Sequence, residues 1–333
     1  MKNILLIATG GTIASRPTQN GLAPQLCAED ILGCVPALAA LCRIDALQLM
    51  NIDSTNMSPD NWLRIAACVR ERYADYDGFV ITHGTDTMAY TASALSYLIQ
   101  DSSKPIVLTG SQKSIYDPET DARRNLFDAF LAAQDDALHG VLVVFDGRVI
   151  CGTRARKTRT KSMNAFSSID YPDLALLREG KILHYIEEQK PVCAPRFFDR
   201  LNPRVFVLRL VPGMNPAVLH RLLPDFDALV IESFGVGGLP CYEQEDFLGA
   251  LTAWGHAGKP VVITTQVPHE GSDLAVYQVG ARIAGTPGVM QAHTMTVEAV
   301  VTKLMWILPQ AASLDEVERL FYTPVANDLL RFE

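Results

Sequence analysis

The run Ile4-Leu5-Leu6-Ile7-Ala8 passes straight into Thr9-Gly10-Gly11-Thr12. Five apolar residues in a row read as a strand buried on both faces, the kind found at the centre of a parallel sheet. The two glycines allow a tight turn and a close approach to a ligand, because they carry no Cβ. Thr12 follows where the chain leaves the strand, and β-branching restricts its χ1, so its hydroxyl is aimed. A hydroxyl on a glycine turn beyond a central strand, among free backbone N–H donors, is a candidate nucleophile. Taken alone, the stretch reads more simply as an ordinary βα turn, because short motifs match by chance.

Downstream, strand and helix patterns alternate, the signature of a parallel sheet covered by helices. A polar loop is expected over 15–24, then a strand over 43–52 ending in Asp53-Ser54-Thr55-Asn56. Ser58-Pro59-Asp60 opens a helix, with Ser as N-cap and Pro at the first helical position, and Trp62, Ile65, Ala66 and Val69 share one face. Further strands are expected over 78–82, 105–108 and 140–145, helices over 89–99 and 121–133, and a hairpin arm over 148–152 leading to a basic run, 154–161. Residues 187–203 hold three prolines and no clear periodicity, and read as a linker. Beyond it, strands are expected over 205–210, 228–232 and 260–264, with helices near 216–223 and 243–254. An amphipathic helix over 296–308 and a last helix over 314–321 complete the pattern. The expectation is an α/β chain with an N-terminal domain over 1–186 and a C-terminal α/β domain over 204–333, in keeping with the length prior of about two domains.

Hydroxyl, amide and acidic residues collect just after successive strands: Thr9 and Thr12, then Ser54, then Thr85 and Asp86, then Ser111 and Gln112. In an open parallel sheet, ligands bind outside the carboxyl ends of the strands, where the strand order reverses. One threonine after a strand is common, but four such clusters are not, and together they point to a hydrolytic or transfer site. Competing chemistry is missing from the sequence. No G-x-G-x-x-G or G-x-x-x-x-G-K-[ST] occurs, and Gly110-Ser111-Gln112 is no G-x-S-x-G elbow. The seven histidines are scattered, so no metal is expected, and His83 reads as a hydrogen-bonded structural residue beside the site. The basic run reads as a solvated loop with one or two functional members.

A net charge of −8 argues against nucleic acid or an anionic membrane as a partner. No run approaches the roughly 20 apolar residues of a membrane span. The apolar stretch at 4–8 is too short for a signal peptide, and the seven cysteines include no C-x-x-C pair. A cytoplasmic chain with reduced thiols is expected.

Thr9-Gly10-Gly11-Thr12-Ile13-Ala14 together with His83-Gly84-Thr85-Asp86-Thr87-Met88 resembles the two signatures of bacterial L-asparaginases. The resemblance extends to Thr109-Gly110-Ser111-Gln112, Asp121-Ala122-Arg123-Arg124-Asn125-Leu126 and Thr296-Val297-Glu298-Ala299, and so covers nearly the whole chain. The paired motifs at this spacing are highly specific, and the chain is most similar to the cytoplasmic (type I) branch. The resemblance implies a hydrolase that converts L-asparagine and water to L-aspartate and ammonia without metal or cofactor. It implies a larger N-terminal domain bearing the active site and a smaller C-terminal one. It also implies a homodimer or homotetramer in which a neighbour's C-terminal domain closes each site.

In those terms Thr12 matches the nucleophile, Thr85 and Asp86 the second threonine and adjacent acid, and Lys157 the buried lysine. Ser54 matches the serine that holds the substrate's α-carboxylate, and Asp86 its partner for the α-ammonium. Asp53, Thr55, Gly84 and Thr85 complete the expected substrate-binding set. Amide hydrolysis needs a nucleophile, an oxyanion site and a proton for the leaving ammonia. A lysine serves as base only where its surroundings favour the neutral amine, and a neighbouring Asp86 carboxylate favours the ammonium. Lys157 is therefore either the base or a cation that orients Asp86 and Thr85.

The chain departs from the family at Leu22, where members carry a loop tyrosine that bonds the nucleophile; its first tyrosine is Tyr73. Gly238 stands where an asparagine often reaches a neighbouring site. Glu232 and Val267 replace the arginine and cysteine of the family's effector pocket, so activation by asparagine is not expected. The alternatives are a glutaminase-asparaginase of relaxed specificity and a catalytically weak amino-acid-binding relative. A related component of the tRNA-dependent amidotransferase is disfavoured, since those chains carry an added N-terminal domain and this one begins at its first strand. Asparagine and glutamine differ by one methylene, worth about 1–3 kcal/mol in a pocket.

Overall fold

The computed structural model describes residues 1–18, 21–240, 247–276, 280, 282–283 and 285–330. The opening apolar run forms β1 (Asn3–Gly10), with Ile4 to Ala8 all buried, as a central strand requires. It is followed by β2 (Ser15–Thr18), β3 (Gly21–Pro24), β4 (Arg43–Ile52), β5 (Gly78–Thr82), β6 (Ile99–Gln100), β7 (Pro105–Thr109) and β8 (Gly140–Phe145). Then come β9 (Arg148–Cys151), β10 (Ala155–Lys157), β11 (Phe166–Ser168), β12 (Ala175–Arg178), β13 (Lys181–His184) and β14 (Arg196–Phe197). One eight-stranded sheet runs in the order β13-β12-β9-β8-β7-β5-β1-β4. The stretch from β4 to β8 is parallel, while β9, β12 and β13 extend it in antiparallel fashion.

The chain steps from β1 outward to β4, then crosses back to β5 on the other side of β1. Strand order therefore reverses between β1 and β5, and the crevice of an open sheet lies at the carboxyl ends of those two strands. The helices Pro59–Arg72, Met88–Leu98 and Ala122–Ala133 link the parallel strands. The first buries Trp62, Ile65, Ala66 and Val69, the face read from its periodicity, and adds Cys68.

Residues 15–24 are not the loop expected. Strands β2 and β3 pair antiparallel from Ser15 opposite Pro24 to Thr18 opposite Gly21, and residues 19 and 20 between them lie outside the described residues. The Asn20-Gly21 dipeptide is a hairpin signal that the surrounding polar and proline residues obscured. Within 187–203, Arg196 and Phe197 form β14, paired with Gln100 and Ile99 of β6.

The chain divides into two compact units, Met1–Asp199 and Arg200–Glu333. The second has a parallel sheet of β15 (Val205–Arg209), β16 (Ala228–Ser233), β17 (Val261–Thr265) and β18 (Val289–Gln291), in that order. Its described helices are Ala217–Leu222, Phe247–His256, Val297–Ile307 and Leu314–Phe321. Residues 243–246 of one expected helix lie outside the described residues. The helix Val297–Ile307 is not amphipathic as expected: every residue is buried, Glu298 and Lys303 included. Its polar residues find partners inside, among them Asp328 for Lys303. No described helix is long and apolar enough to cross a membrane.

One buried carboxyl makes stability pH-dependent. Asp128, on the helix Ala122–Ala133, is buried, and desolvation pushes its carboxyl up to about 6 although Arg124 Nε lies 3.5 Å away. A raised folded-state value means the folded chain holds a proton that the unfolded chain releases. Stability therefore falls as pH rises from about 4 to about 6, and the cost persists above that window. Asp128→Asn is expected to stabilise the chain at pH 8 by up to ~2 kcal/mol, with the gain vanishing near pH 4. Denaturant melts at the two pH values check this; a gain that is the same at both would rule out titration of Asp128 as its source.

Candidate active site

The glycine turn after β1 meets the turn after β5. Gly11 has φ 80°, which favours glycine, and a Cβ there would stand 2.3 Å from the backbone N of Gly84. A Cβ on Gly84 would in turn lie 2.6 Å from Ser54 Oγ. Three strand ends thus meet with no room for side chains: β1 through Gly11, β5 through Gly84, and β4 through the turn Ser54–Asn56. Thr12 opens the short turn Thr12–Ala14 and is half-buried, and its hydroxyl makes no hydrogen bond among the described residues.

Thr85 is buried, and its hydroxyl accepts from Lys157 Nζ at 2.8 Å. The same Nζ donates to Asp86 Oδ1 at 2.6 Å. Lys157 reaches them from the end of β10, which pairs with β11 and sets Lys157 opposite Phe166. Thr85 donates its own proton to Gln112 Oε1 at 3.3 Å. Lys157 acts here as donor to both neighbours, the arrangement of an ammonium between a hydroxyl and a carboxylate.

The expected substrate-binding residues separate into two groups. Ser54 is buried against Gly84, and its carbonyl accepts from Thr87 Oγ1 at 2.8 Å, which ties the β4 and β5 turns together. Asp53 and Thr55 are exposed and bond each other, Asp53 Oδ1 accepting from both N and Oγ1 of Thr55 at 2.8 Å. That pair caps its own turn. Thr9 belongs to the scaffold: its hydroxyl donates to Thr82 O at 2.7 Å inside the sheet.

His83 is the structural residue expected. Gly84 O can only accept, so Nδ1 carries the proton in their 2.7 Å bond, and Nε2 accepts from Thr91 Oγ1 at 2.9 Å. Trp62 Nε1 donates to the same Thr91 oxygen at 2.9 Å. Full burial pushes the imidazole down to about 4, so it stays neutral across ordinary pH.

The loop after β7 has a support that sequence reasoning left unassigned. Asp121 accepts from the backbone N–H groups of Gln112 and Lys113 and from Asn125 Nδ2. Asn125 also donates to Gly110 O at 3.0 Å. The signal was present as an acid and an amide four residues apart at a helix start, one helical turn. Among the described residues no group of three His, Cys, Asp or Glu side chains is placed to hold a metal.

A family model for the N-terminal part of asparaginases matches residues 3–190, and one for the glutaminase/asparaginase C-terminal domain matches 204–321. The chain is 40% identical over 331 residues to an L-asparaginase of Thermococcus kodakarensis, covering 98% of each. The solved structure of the thermostable L-asparaginase from that organism matches with a TM-score of 0.92 at 39% identity, over 99% of this chain and 100% of that one. L-asparaginase I from Vibrio cholerae matches with a TM-score of 0.89 at 30% identity, over 99% of each chain. A component of the glutamyl-tRNA(Gln) amidotransferase of Pyrococcus horikoshii is 32% identical over 99% of this chain and 77% of its own length. The similarity is therefore not confined to bacterial members. With its strand ends meeting at a threonine–lysine–aspartate cluster and both halves matched by the family's models, the chain belongs to the asparaginase family.

Proposed function

We propose that this chain hydrolyses the side-chain amide of L-asparagine to L-aspartate and ammonia, with Thr12 as nucleophile. The observation that carries the reading is the Lys157 ammonium joining Thr85 and Asp86 at the tip of β5, beside the glycine turn that bears Thr12. The L-asparaginases it resembles over its full length support the substrate.

In this reading Ser54 and Asp86 hold the α-carboxylate and α-ammonium, and Gly84 and Thr85 line the same pocket. Thr12 Oγ bonds to the amide carbon, and the carbonyl electrons move onto oxygen. The backbone N–H groups of Thr12 and Thr85 make no hydrogen bond among the described residues and serve that oxyanion. The C–N bond then breaks, and the proton released by Thr12 ends on the leaving nitrogen, which departs as ammonia, while the Lys157 ammonium and the Thr85 hydroxyl keep their own protons. Water cleaves the aspartyl ester and restores Thr12. Each step uses side chains and backbone alone, with no cofactor.

The type I branch fits the full-length likeness to the Vibrio enzyme, a cytoplasmic location fits the likeness to a probable cytoplasmic L-asparaginase of Campylobacter jejuni, and a homodimer or homotetramer is proposed from the family resemblance alone. Ammonia release from L-asparagine, L-glutamine and D-asparagine, measured across substrate concentration, tests the reading. L-asparagine turnover is expected to dominate. Equal kcat/KM on L-glutamine would make the chain a glutaminase-asparaginase, and stabilisation by aspartate without ammonia release would make it a binding protein.

Leu22 lies on β3 opposite Pro17, on the hairpin that follows Thr12. Leu22→Tyr is expected to raise kcat on asparagine. An unchanged or lower kcat would show that another group already activates Thr12.

A further inference from the structure

We propose that Gln112 is a positioning residue that sets the direction of the Thr85 proton and locks the Lys157 arm to the site. The inference rests on the asparaginase reading above and names a residue that reading does not use.

The side-chain amide of Gln112 joins three segments. Its Oε1 accepts from Thr85 Oγ1 at 3.3 Å, and its Nε2 donates to Ser162 O at 3.1 Å. Ser162 lies in the connection from β10, which ends at Lys157, to β11. One amide thus spans the turn after β5, the loop after β7 and the arm that carries the lysine. Its own backbone is held from behind, Gln112 N donating to both Asp121 oxygens at 2.9 and 3.1 Å.

The donor inventory removes the ambiguity of the amide's orientation. A backbone carbonyl only accepts, so the group facing Ser162 O is the NH₂, and the oxygen must face Thr85. An ammonium only donates, so Thr85 Oγ1 accepts from Lys157 and its single proton needs another acceptor. Gln112 Oε1 is that acceptor. With one lone pair on Lys157 and the proton on Gln112, Thr85 keeps its second lone pair for a donor on the substrate side. The chain of dependence runs from the arm to the amide flip, from the flip to the Thr85 rotor, and from the rotor to the Thr85 lone pair left facing the substrate.

Two substitutions separate positioning from mere packing. Gln112→Met keeps the volume and loses both polar contacts, while Gln112→Glu keeps an acceptor toward Thr85 and loses the donor to Ser162. Gln112→Met is expected to lower kcat on L-asparagine ~10-fold with KM within about twofold, because misplacing a reacting group acts on the bound complex. Gln112→Glu is expected to recover part of that loss, and both are expected to melt close to the parent. A Gln112→Met chain with kcat within twofold of the parent overturns the inference. So do equal losses in kcat and melting temperature in both variants, which is what a packing role predicts. If the unaltered chain itself releases no ammonia, the asparaginase reading falls and takes the inference with it; an active parent with an indifferent Gln112 removes the inference alone.

Discussion

Thr12→Ala is expected to lower kcat for ammonia release from L-asparagine by ~10⁴ or more, the scale on which removing a covalent nucleophile acts. The change deletes the one hydroxyl on the turn between β1 and the tip of β5 while leaving the Lys157 contacts to Thr85 and Asp86 in place. The fold should tolerate it. Thr12 is half-buried and its hydroxyl makes no hydrogen bond among the described residues, so the stability change is expected within about 1 kcal/mol. Aspartate binding should persist, because Ser54 and Asp86 are untouched. Thr12→Ser keeps the hydroxyl but frees χ1, and a loss of about one order of magnitude is expected. Full activity in Thr12→Ala would take the nucleophile role away from Thr12 and leave Thr85 as the hydroxyl to examine at the same crevice.

Periodicity made the elements of this site legible, but not their neighbours. Runs such as Ile4–Ala8 and Phe79–Ile81 are apolar throughout because parallel strands are covered on both faces, and so they stand out in the sequence. The placement of β5 beside β1, with β4 on the far side, rests on pairings some 40 to 75 residues apart that no local pattern encodes. The same limit separates Thr9 from Thr12. Both follow the strand, yet Thr9 turns inward to Thr82 O, and only the finished sheet shows it. Asp53 and Thr55 belong to the expected substrate-binding set, and the bond between them in the turn after β4 is a detail that only the fold supplies. Gln112 drew notice as one of a cluster, but its orientation depends on Ser162, far along the chain. Where pairing is local, as between β2 and β3, the dipeptide Asn20-Gly21 carried the signal in the sequence and was outweighed by composition.

The helix Val297–Ile307 shows the same limit at its strongest, and it carries the second large effect. An amphipathic helix, as expected over 296–308, would turn one face to solvent. In the fold neither Lys303 nor Asp328 is exposed, and their charges meet at 2.7 Å. Lys303 Nζ also donates to Thr323 O at 2.8 Å, and Asp328 Oδ1 accepts from Val325 N at 2.9 Å, so the pair closes the C-terminal segment onto the helix. Taking two charges out of water is costly, and breaking such a pair strands the survivor without compensation. Lys303→Met is therefore expected to cost about 3–5 kcal/mol and to lower the melting temperature by on the order of 10 °C. Asp328→Asn should act in the same direction. The double change Lys303→Met with Asp328→Leu removes both charges and is expected to recover most of the loss, since well-packed apolar groups replace buried ion pairs at little cost. A double variant as unstable as either single one would show that the chain needs the ionic geometry itself. In either case kcat of the folded fraction should stay near the parent value. The motif Thr296-Val297-Glu298-Ala299 opens this helix with Thr296 Oγ1 accepting from Ala299 N at 3.1 Å, so its threonine serves as the N-cap.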